Sequence, residues 1–455
     1  MKNKTMSSRS SLNHLFMKII SSRNRHLPKD VLDNYVDAFL KRRELFLKSA
    51  DRFGAPQYFF DAPAFALQIA SFKEAFSRHL DKCRIFYAMK SNHFIGICRK
   101  AVSEGLGLDV SGGVELSKAL DLACKQIVFS GPGKTDDELR YVVQNRDRVT
   151  LLMDSFGELR RVSNILKKNA IGNNGPLKAG VRIQQQNQWS KFGIPLKHLP
   201  NFLKEAGDSP GLALFGIQFH TSWNLDPSAQ VHMIHRIGEV IQNKIPSDLR
   251  KAFRFLDIGG GFWPEQGEWL NPQNTMKGRI LEILNPEYRR KKSHYYLRGR
   301  PIDFFAKKIG EAIQQQGPPL SDLEIYLEPG RWVSTPAMHI LLKIIDKKDD
   351  KTIITDGGIN LLGWERPLTE YIPLINVSRP SLKERSVKVY GSLCTPHDIW
   401  GMSVFGETVK EGDILLVPDQ GAYTYSLRQS FIKPIAKVVQ YDEKGIHEVI
   451  KENVY

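Results

Sequence analysis

Nothing in the 455 residues approaches the roughly 20 uninterrupted apolar positions of a membrane-spanning helix, so no membrane partner is expected. Cysteine is scarce. Cys83, Cys98, Cys124 and Cys394 stand apart, with no CxxC pair and no histidine at zinc spacing. That argues against a disulfide scaffold or a zinc module and fits a reducing, cytoplasmic setting. Acidic residues are missing before Asp30, where Lys2, Lys4, Arg9, Lys18, Arg23 and Arg25 lie among many serines. Residues 1–28 therefore read as a flexible basic leader, with an organelle transit peptide as the alternative. The apolar patch at 15–20 is too short for a secretory signal and is broken by Lys18.

What is present is ordinary for a folded chain. Hydrophobic residues make up 41%, charged residues 25% and aromatics 10%, which excludes a largely disordered protein. The length is about three times a domain of roughly 150 residues, enough for a large α/β barrel with a smaller partner. Charge is one-sided: 65 Lys and Arg against 49 Asp and Glu leave +16. Such an excess fits either nucleic acid or small anionic ligands with scattered surface lysines. The densest cluster is Arg289, Arg290, Lys291 and Lys292, with Arg298 and Arg300 beyond it. It lies in a polar stretch at 264–301 that reads as a loop insertion. No recognisable nucleic-acid-binding fold accompanies it, so no nucleic-acid partner is expected.

From residue 57 onward, short apolar β-rich runs alternate with helical patterns. The runs are 57–60, 84–89, 126–129, 149–153, 177–183, 214–219, 253–258 and 323–327. Intervening segments such as 63–80 and 113–125 carry apolar residues at helical spacing. About eight such repeats match a (β/α)8 barrel, whose chemistry sits at the C-terminal ends of its strands. After Trp332 the apolar runs shorten and lie between turn signals, at 343–345, 352–355, 387–390, 413–417 and 434–441. That predicts a mostly-β domain. The expected divisions are the 1–28 leader, a 29–62 segment contributing to the β domain, a 63–335 barrel and a 336–455 β domain.

The strand ends carry the chemistry-bearing residues. Lys90 directly follows an apolar run in Tyr87-Ala88-Met89-Lys90-Ser91-Asn92. A lysine at a barrel mouth is partly desolvated, which lowers its pKa and suits Schiff-base chemistry; alone it reads as a surface lysine. Gly259, Gly260 and Gly261 follow another run and let the backbone present N–H groups to an anion. Glu328-Pro329-Gly330-Arg331 places a carboxylate and a guanidinium at a further strand end, and His220 ends the run at 214–219. Farther on lie Gly391-Ser392-Leu393-Cys394-Thr395-Pro396-His397-Asp398 and Gly421-Ala422-Tyr423. Thiol catalysis by Cys394 with His397 lacks any accompanying oxyanion site. His232 and His235 share a helix face but have no third ligand, so no metal site is expected.

Taken in order, these motifs resemble the fold-type III pyridoxal-phosphate decarboxylases, the group of the diaminopimelate, ornithine and arginine decarboxylases. The match runs from about Tyr87 to Tyr423. Ser130-Gly131-Pro132-Gly133-Lys134-Thr135-Asp136 and the Cys394 motif look closer to the branch acting on citryl-diamino acids in siderophore biosynthesis. The resemblance implies an alanine racemase-like fold, pyridoxal 5'-phosphate as cofactor, and a homodimer with shared active sites. Lys90 would hold the cofactor covalently. Gly259, Gly260, Gly261, Gly330, Arg331 and Tyr423 would bind its phosphate. His220 would stack on the ring, and Glu328 would pair with the pyridine nitrogen. Asp109 and Glu115 would position Lys90, and Arg182 and Lys191 match further pocket positions. Cys394 and Asp398 would come from the second subunit, Cys394 as proton donor and Asp398 meeting the substrate amine. The racemases of this fold use an arginine at the Glu328 position, so Glu328 favours decarboxylation.

Some positions depart from the family pattern. Where relatives read His-x-Gly-Ser, this chain reads His220-Thr221-Ser222-Trp223; Trp223 lacks the phosphate-binding hydroxyl, and Ser222 is the candidate replacement. Thr395 replaces the glutamate that marks diaminopimelate enzymes, while Arg366 resembles an arginine that binds a distal carboxylate. Glu365 beside it keeps open a distal amine, hence an ornithine or lysine substrate. A catalytically inactive, decarboxylase-like binding protein is the alternative from another class; such proteins tend to lose the lysine and phosphate contacts that remain here.

Overall fold

The computed structural model describes residues 25–168, 175–185, 191–271, 280, 294–362 and 370–449. Arg289–Lys292 of the basic cluster, Glu365 and Arg366 lie outside them. Two strands precede the barrel, β1 (Arg25–His26) and β2 (Gln57–Asp61), and neither joins it. The barrel follows as β3 (Cys83–Ala88), β4 (Gly107–Val110), β5 (Ile127–Phe129), β6 (Val149–Met153), β7 (Leu177–Arg182), β8 (Leu212–Gln218) and β9 (Phe255–Asp257). Strands β10 (Glu268–Leu270) and β11 (Tyr295–Leu297) leave the ring and form an antiparallel sheet with β1. Strand β12 (Glu324–Leu327) then closes the barrel, pairing in parallel with both β9 and β3.

Helices cover the barrel for readable reasons. In Ala62–Ser77, Asp61 accepts from the Ala64 N–H at 3.0 Å, and Pro63 sits in the first turn, where a missing N–H costs nothing. Phe65, Ile69, Phe72 and Phe76 then recur at helical spacing and are all buried. Asp136–Gln144 opens on a reciprocal capping box between Thr135 and Glu138.

The C-terminal chain contributes β13 (Met338–Asp349), β14 (Thr352–Thr355), β15 (Ile375–Asn376), β16 (Glu384–Tyr390), β17 (Ile399–Phe405), β18 (Ile414–Val417), β19 (Lys437–Asp442) and β20 (Gly445–Val449). They form one sheet in the order β14-β16-β17-β15-β18-β13-β2-β19-β20. Alternation along its central strands sorts side chains to two faces. Phe59, Leu341 and Val439 pack against the helices Lys29–Leu40 and Arg43–Phe53. Tyr58, Phe60, Ile340 and Leu342 belong to the core shared with the barrel.

The run at 57–60 stands in sequence at the head of the runs matched to the barrel, but it falls in the 29–62 segment expected to join the β domain, and it pairs with β13 and β19 in the large sheet. The eighth barrel strand is β4, whose Gly107 and Asp109 dilute the β signal. Strands β17 and β20 also escape the sequence pattern.

The same two-residue period builds the barrel interior. Phe86, Val128, Leu152, Phe255 and Tyr326 form a separate buried cluster that plugs it. Phe255 and Tyr326 stack at 4.4 Å between centroids. Glycines make room for these large side chains: a Cβ on Gly216 would lie 2.3 Å from the Phe255 ring, and one on Gly107 2.4 Å from Phe86. Two residues beyond the plug, on the same inward face, stand Ala88, Asp109, Ser130, Asp154, Arg182, Gln218, Asp257 and Glu328. The plug is apolar and the layer above it is almost wholly polar. That layer is the floor of a site.

Candidate active site

A cavity of about 740 Å³ opens over this floor, walled on one side by barrel loops and on the other by the C-terminal segment. Lys90, His220, Ser222, Gly261, Glu328, Gly330, Arg331 and Tyr423 all line it. Residues 333 positions apart are thus brought together by the sheet docking on the barrel. One link is direct: the Tyr423 N–H donates to the Ser91 carbonyl at 2.7 Å, tying the Tyr423 turn to the Lys90 turn. Tyr423 has φ +57° and Trp223 φ +62°, left-handed values that cost bulky residues energy and cluster at functional sites.

Lys90 Nζ lies 3.3 Å from Asp109 Oδ2, and the other Asp109 oxygen accepts from Ser130 Oγ at 2.6 Å. Burial works against the lysine's charge. Asp109, then Glu328, more than offset it, and the amine is held above its ordinary value. The desolvation expected from sequence to lower this pKa is therefore outweighed by carboxylates that only the fold brings near. Glu115 stands one shell back, its Oε2 accepting from the Ser111 N–H at 2.7 Å.

Glu328 is 1% exposed. Its Oε1 accepts from Gln218 Nε2 at 3.3 Å, while its Oε2 has no donor. Burial and the neighbouring Asp109 push its carboxyl up to about 7, and Lys90, Asp257 and Arg182 pull against them. His220 is held neutral: burial, Lys90 and Arg182 all drive its pKa well below the usual imidazole value. Ser222 Oγ lies 3.4 Å from His220 Nδ1, so it orients the ring as well as facing the cavity.

The glycine triplet is forced by close approaches. Gly261 has φ +79°, and a Cβ there would lie 2.0 Å from the Thr221 carbonyl; one on Gly260 would lie 2.2 Å from the Glu328 carbonyl. Gly259 donates its N–H to Asp257 Oδ1 at 2.8 Å. Arg331 lies flat among aromatic rings, its guanidinium carbon 4.3 Å from the Trp263 centroid and 4.9 Å from Tyr423. Trp223 stacks on Trp263 at 5.0 Å.

Other expected residues sit elsewhere. Arg182 lies in the polar layer, acting on Lys90 and His220 by charge and stacking on Phe192 at 4.4 Å. Lys191 is exposed and reaches over Phe192 rather than lining the cavity. Cys394 is exposed in the β16–β17 loop and does not line its own chain's cavity. Asp398 is a correction to the sequence reading. It is 1% exposed, and its two oxygens accept from the Ile359 and Leu393 N–H groups at 2.8 and 2.7 Å. That carboxylate holds the Cys394 loop in shape and is not presented to a substrate amine. The Lys134 motif is likewise structural here: Lys134 is buried against Glu158 at 2.9 Å and two backbone carbonyls.

Sequence reasoning missed Asp257, Gln218, Ser130, Trp263 and Glu370. The two-residue spacing from Phe255 and Gly216 signals the first two, once those residues are known to point inward. Trp263 and Glu370 line the cavity from loops that carry no periodic signal.

The residues fit pyridoxal phosphate. A lysine is paired with a carboxylate, a second carboxylate keeps an unpartnered oxygen, and glycine backbone and a guanidinium serve an anion. Comparison with known proteins agrees. Residues 66–335 match the pyridoxal binding domain of pyridoxal-dependent decarboxylases. The chain is 26% identical over 407 residues to a diaminopimelate decarboxylase of Methanothermobacter thermautotrophicus, covering 84% of this chain and 85% of that one. It is 23% identical to a Staphylococcus aureus decarboxylase over 76% of this chain and 84% of that one. That relative is named for a 2-hydroxybutanedioate bearing an L-alanin-3-ylcarbamoyl-methyl group. Among solved structures, M. jannaschii diaminopimelate decarboxylase superposes with TM-score 0.72 at 22% identity, over 88% of this chain and 90% of that one.

Proposed function

The chain belongs to the pyridoxal-dependent decarboxylases, and from that premise we propose that it removes the α-carboxylate of an amino acid or amino-acid conjugate whose distal part carries carboxylate. The observation that supports this most is Lys90 and Glu328 facing one cavity, the lysine held by Asp109 and the glutamate unpartnered on one oxygen. When bound, pyridoxal phosphate supplies an electron sink for the pair left behind as carbon dioxide departs.

The chain's own residues set up that chemistry. Lys90 anchors the cofactor aldehyde, and Asp109, braced by Ser130, fixes where the amine points. Glu328, which lines the cavity, would pair with the pyridine nitrogen and keep it protonated. The Gly260 and Gly261 backbone and the Arg331 guanidinium would hold the phosphate; the Gly259 N–H, expected from sequence to join them, is spent on Asp257. His220, kept neutral, would lie against the ring without adding positive charge. Cys394, exposed and away from its own cavity, is assigned to the cavity of a second copy, where its thiol returns a proton to the product; the enzyme is then a homodimer. Asp398 supports that loop. Arg366 is assigned to the distal carboxylate on the resemblance, and Lys191 to the same outer region. A cytoplasmic setting fits the scattered cysteines, and no helix among the described residues is long and apolar enough to cross a membrane.

Two features bear on the substrate. The S. aureus relative's name describes a carboxylate-rich conjugate, which favours a citryl-diamino acid type of substrate in siderophore synthesis. Against this, Glu370 lines the cavity, and an acid there suits a distal amine, as in lysine, ornithine or diaminopimelate. Carbon dioxide release across acyl-diamino acids, diaminopimelate, ornithine and lysine separates the readings. Turnover of the acidic conjugates at least about tenfold above the simple diamino acids is expected, the worth of one charged hydrogen bond. Faster turnover of ornithine or lysine would overturn the assignment of Arg366.

A further inference from the structure

Asp257 has no part in the chemistry assigned above, yet it lies against Glu328 at the floor of the cavity. The two are 0% and 1% exposed. Each has one carboxylate oxygen supplied with a donor, Asp257 by the Gly259 N–H and Glu328 by Gln218. The other oxygens, Asp257 Oδ2 and Glu328 Oε2, are buried and receive no hydrogen bond from a donor elsewhere. The two side chains rise from the ends of paired strands, β9 and β12, which are tied by the Glu328 N–H donating to the Gly259 carbonyl at 2.9 Å, and each carboxyl acts directly on the other. Two ionised carboxylates have no proton to put between them, and a buried pair in that state is left both repelled and unsatisfied.

The charges around the pair point the same way. Lys90 follows β3, Asp109 stands on β4, Arg182 on β7 and neutral His220 follows β8. Glu115, from the helix after β4, faces Lys118 as well as Lys90. Lys90 and Arg182 already face Asp109 and Asp154, and the Lys134 charge is met by Glu158, so two further negative charges on Asp257 and Glu328 have no cation left to meet them. Burial pushes Asp257 well above the carboxylate range; burial and Asp109 raise Glu328 less far, to about 7, with Lys90 and then Asp257 pulling it back.

We propose that Asp257 and Glu328 share one proton, carried by Asp257, so that Asp257 is the positioning residue that keeps Glu328 ionised and aimed at the cofactor ring. The Asp257 hydroxyl donates to Glu328 Oε2, which retains a lone pair for the pyridine N–H. The proton-sharing stands on the two buried, unsatisfied oxygens of adjacent strands and the charges around them; its consequence for the cofactor rests on the function proposed above. The arrangement also explains why an aspartate precedes the glycine triplet: the Gly259 N–H fixes one oxygen and turns the other toward Glu328.

Infrared spectra at pH 8 of the full-length protein, with and without cofactor, test the pair. The wild type is expected to show the carbonyl stretch of a buried protonated carboxyl group. It should vanish in Asp257→Asn, and also in Glu328→Gln, whose amide donates to Asp257 and lets it ionise. Absence of the band from the wild type, or its survival in Asp257→Asn, would overturn the pair, whatever the enzyme decarboxylates. For the positioning role, cofactor dissociation is the readout. Asp257→Asn keeps an N–H donor and should hold the cofactor within about threefold of wild type, whereas Asp257→Leu should weaken it about tenfold or more. Equal affinity in the two variants, both weakened or both intact, would remove that role. A wild type that binds no cofactor would defeat the proposed function and leave the infrared result standing.

Discussion

At the scale of single residues, the site is a set of charges that correct one another. Lys90 looked from the sequence like an amine whose pKa falls by desolvation; Asp109 and Glu328 reverse the sign. In the function proposed, Glu328 is the residue on which the reaction type turns. An ionised carboxylate beside the pyridine nitrogen keeps the electron sink charged, and a carboxamide cannot. Glu328→Gln is therefore expected to leave the cofactor bound while lowering turnover by about 100-fold, the scale of one lost electrostatic contact in a dry site. Comparing the visible cofactor band with carbon dioxide release checks this; loss of both in step would mean that Glu328 only holds the cofactor. Lys90, His220, Arg331 and Tyr423, which the motif order and the resemblance singled out, do line one cavity. Asp257 was not legible, since an aspartate before glycines reads as turn chemistry until Glu328 is seen above it. Asp398 was misread for the converse reason: its carboxylate looked available and is spent on two backbone amides.

At the scale of elements, the two-residue period of the strands does most of the positioning. It places Phe255 in the plug and Asp257 on the floor, Gly216 beneath Phe255 and Gln218 against Glu328. Strand β4 was missed because glycine and aspartate, the residues its inward face needs, are poor strand signals. Strand β2 shows the limit of periodicity, which tells that a strand is buried and not what it pairs with: its run stood in line with the barrel runs, and only its place in the 29–62 segment pointed to the large sheet. The centre of the large sheet carries a further titratable group. His339 on β13 is 1% exposed, and its Nδ1 accepts from the Asp419 N–H at 3.0 Å. Burial lowers its pKa to about 4, below the roughly 6.5 of an unfolded histidine. The unfolded chain then binds the extra proton first, so this contribution is complete above about pH 6.5 and drains away as pH falls toward 4. The full loss is on the order of 3 kcal/mol. Urea unfolding of wild type and His339→Asn between pH 4 and 8 measures it; the variant should lose stability less steeply on acidification. Parallel pH profiles would contradict the neutral buried imidazole.

At the scale of the whole molecule, the barrel supplies the floor and the C-terminal sheet supplies part of the wall. Tyr423, Leu427 and Gln429 reach the cavity that Lys90, Glu328 and Arg331 open. Sequence order alone showed these as distant motifs; what joined them was the resemblance, and what gives the joining a physical cause is the sheet packed on the barrel through Tyr58, Phe60 and Ile340. The +16 charge finds partial use at the site, where Lys90, Arg182 and Arg331 face a floor of carboxylates and an anionic cofactor. The central claim is that this cavity is a pyridoxal-phosphate site built on Lys90. Borohydride reduction of the cofactor-loaded enzyme, followed by mass mapping of its peptides, tests it most directly. Loss of the visible band is expected, with a phosphopyridoxyl group on the peptide holding Lys90 that is absent from Lys90→Ala. Attachment to another lysine, or no attachment at all, would contradict it.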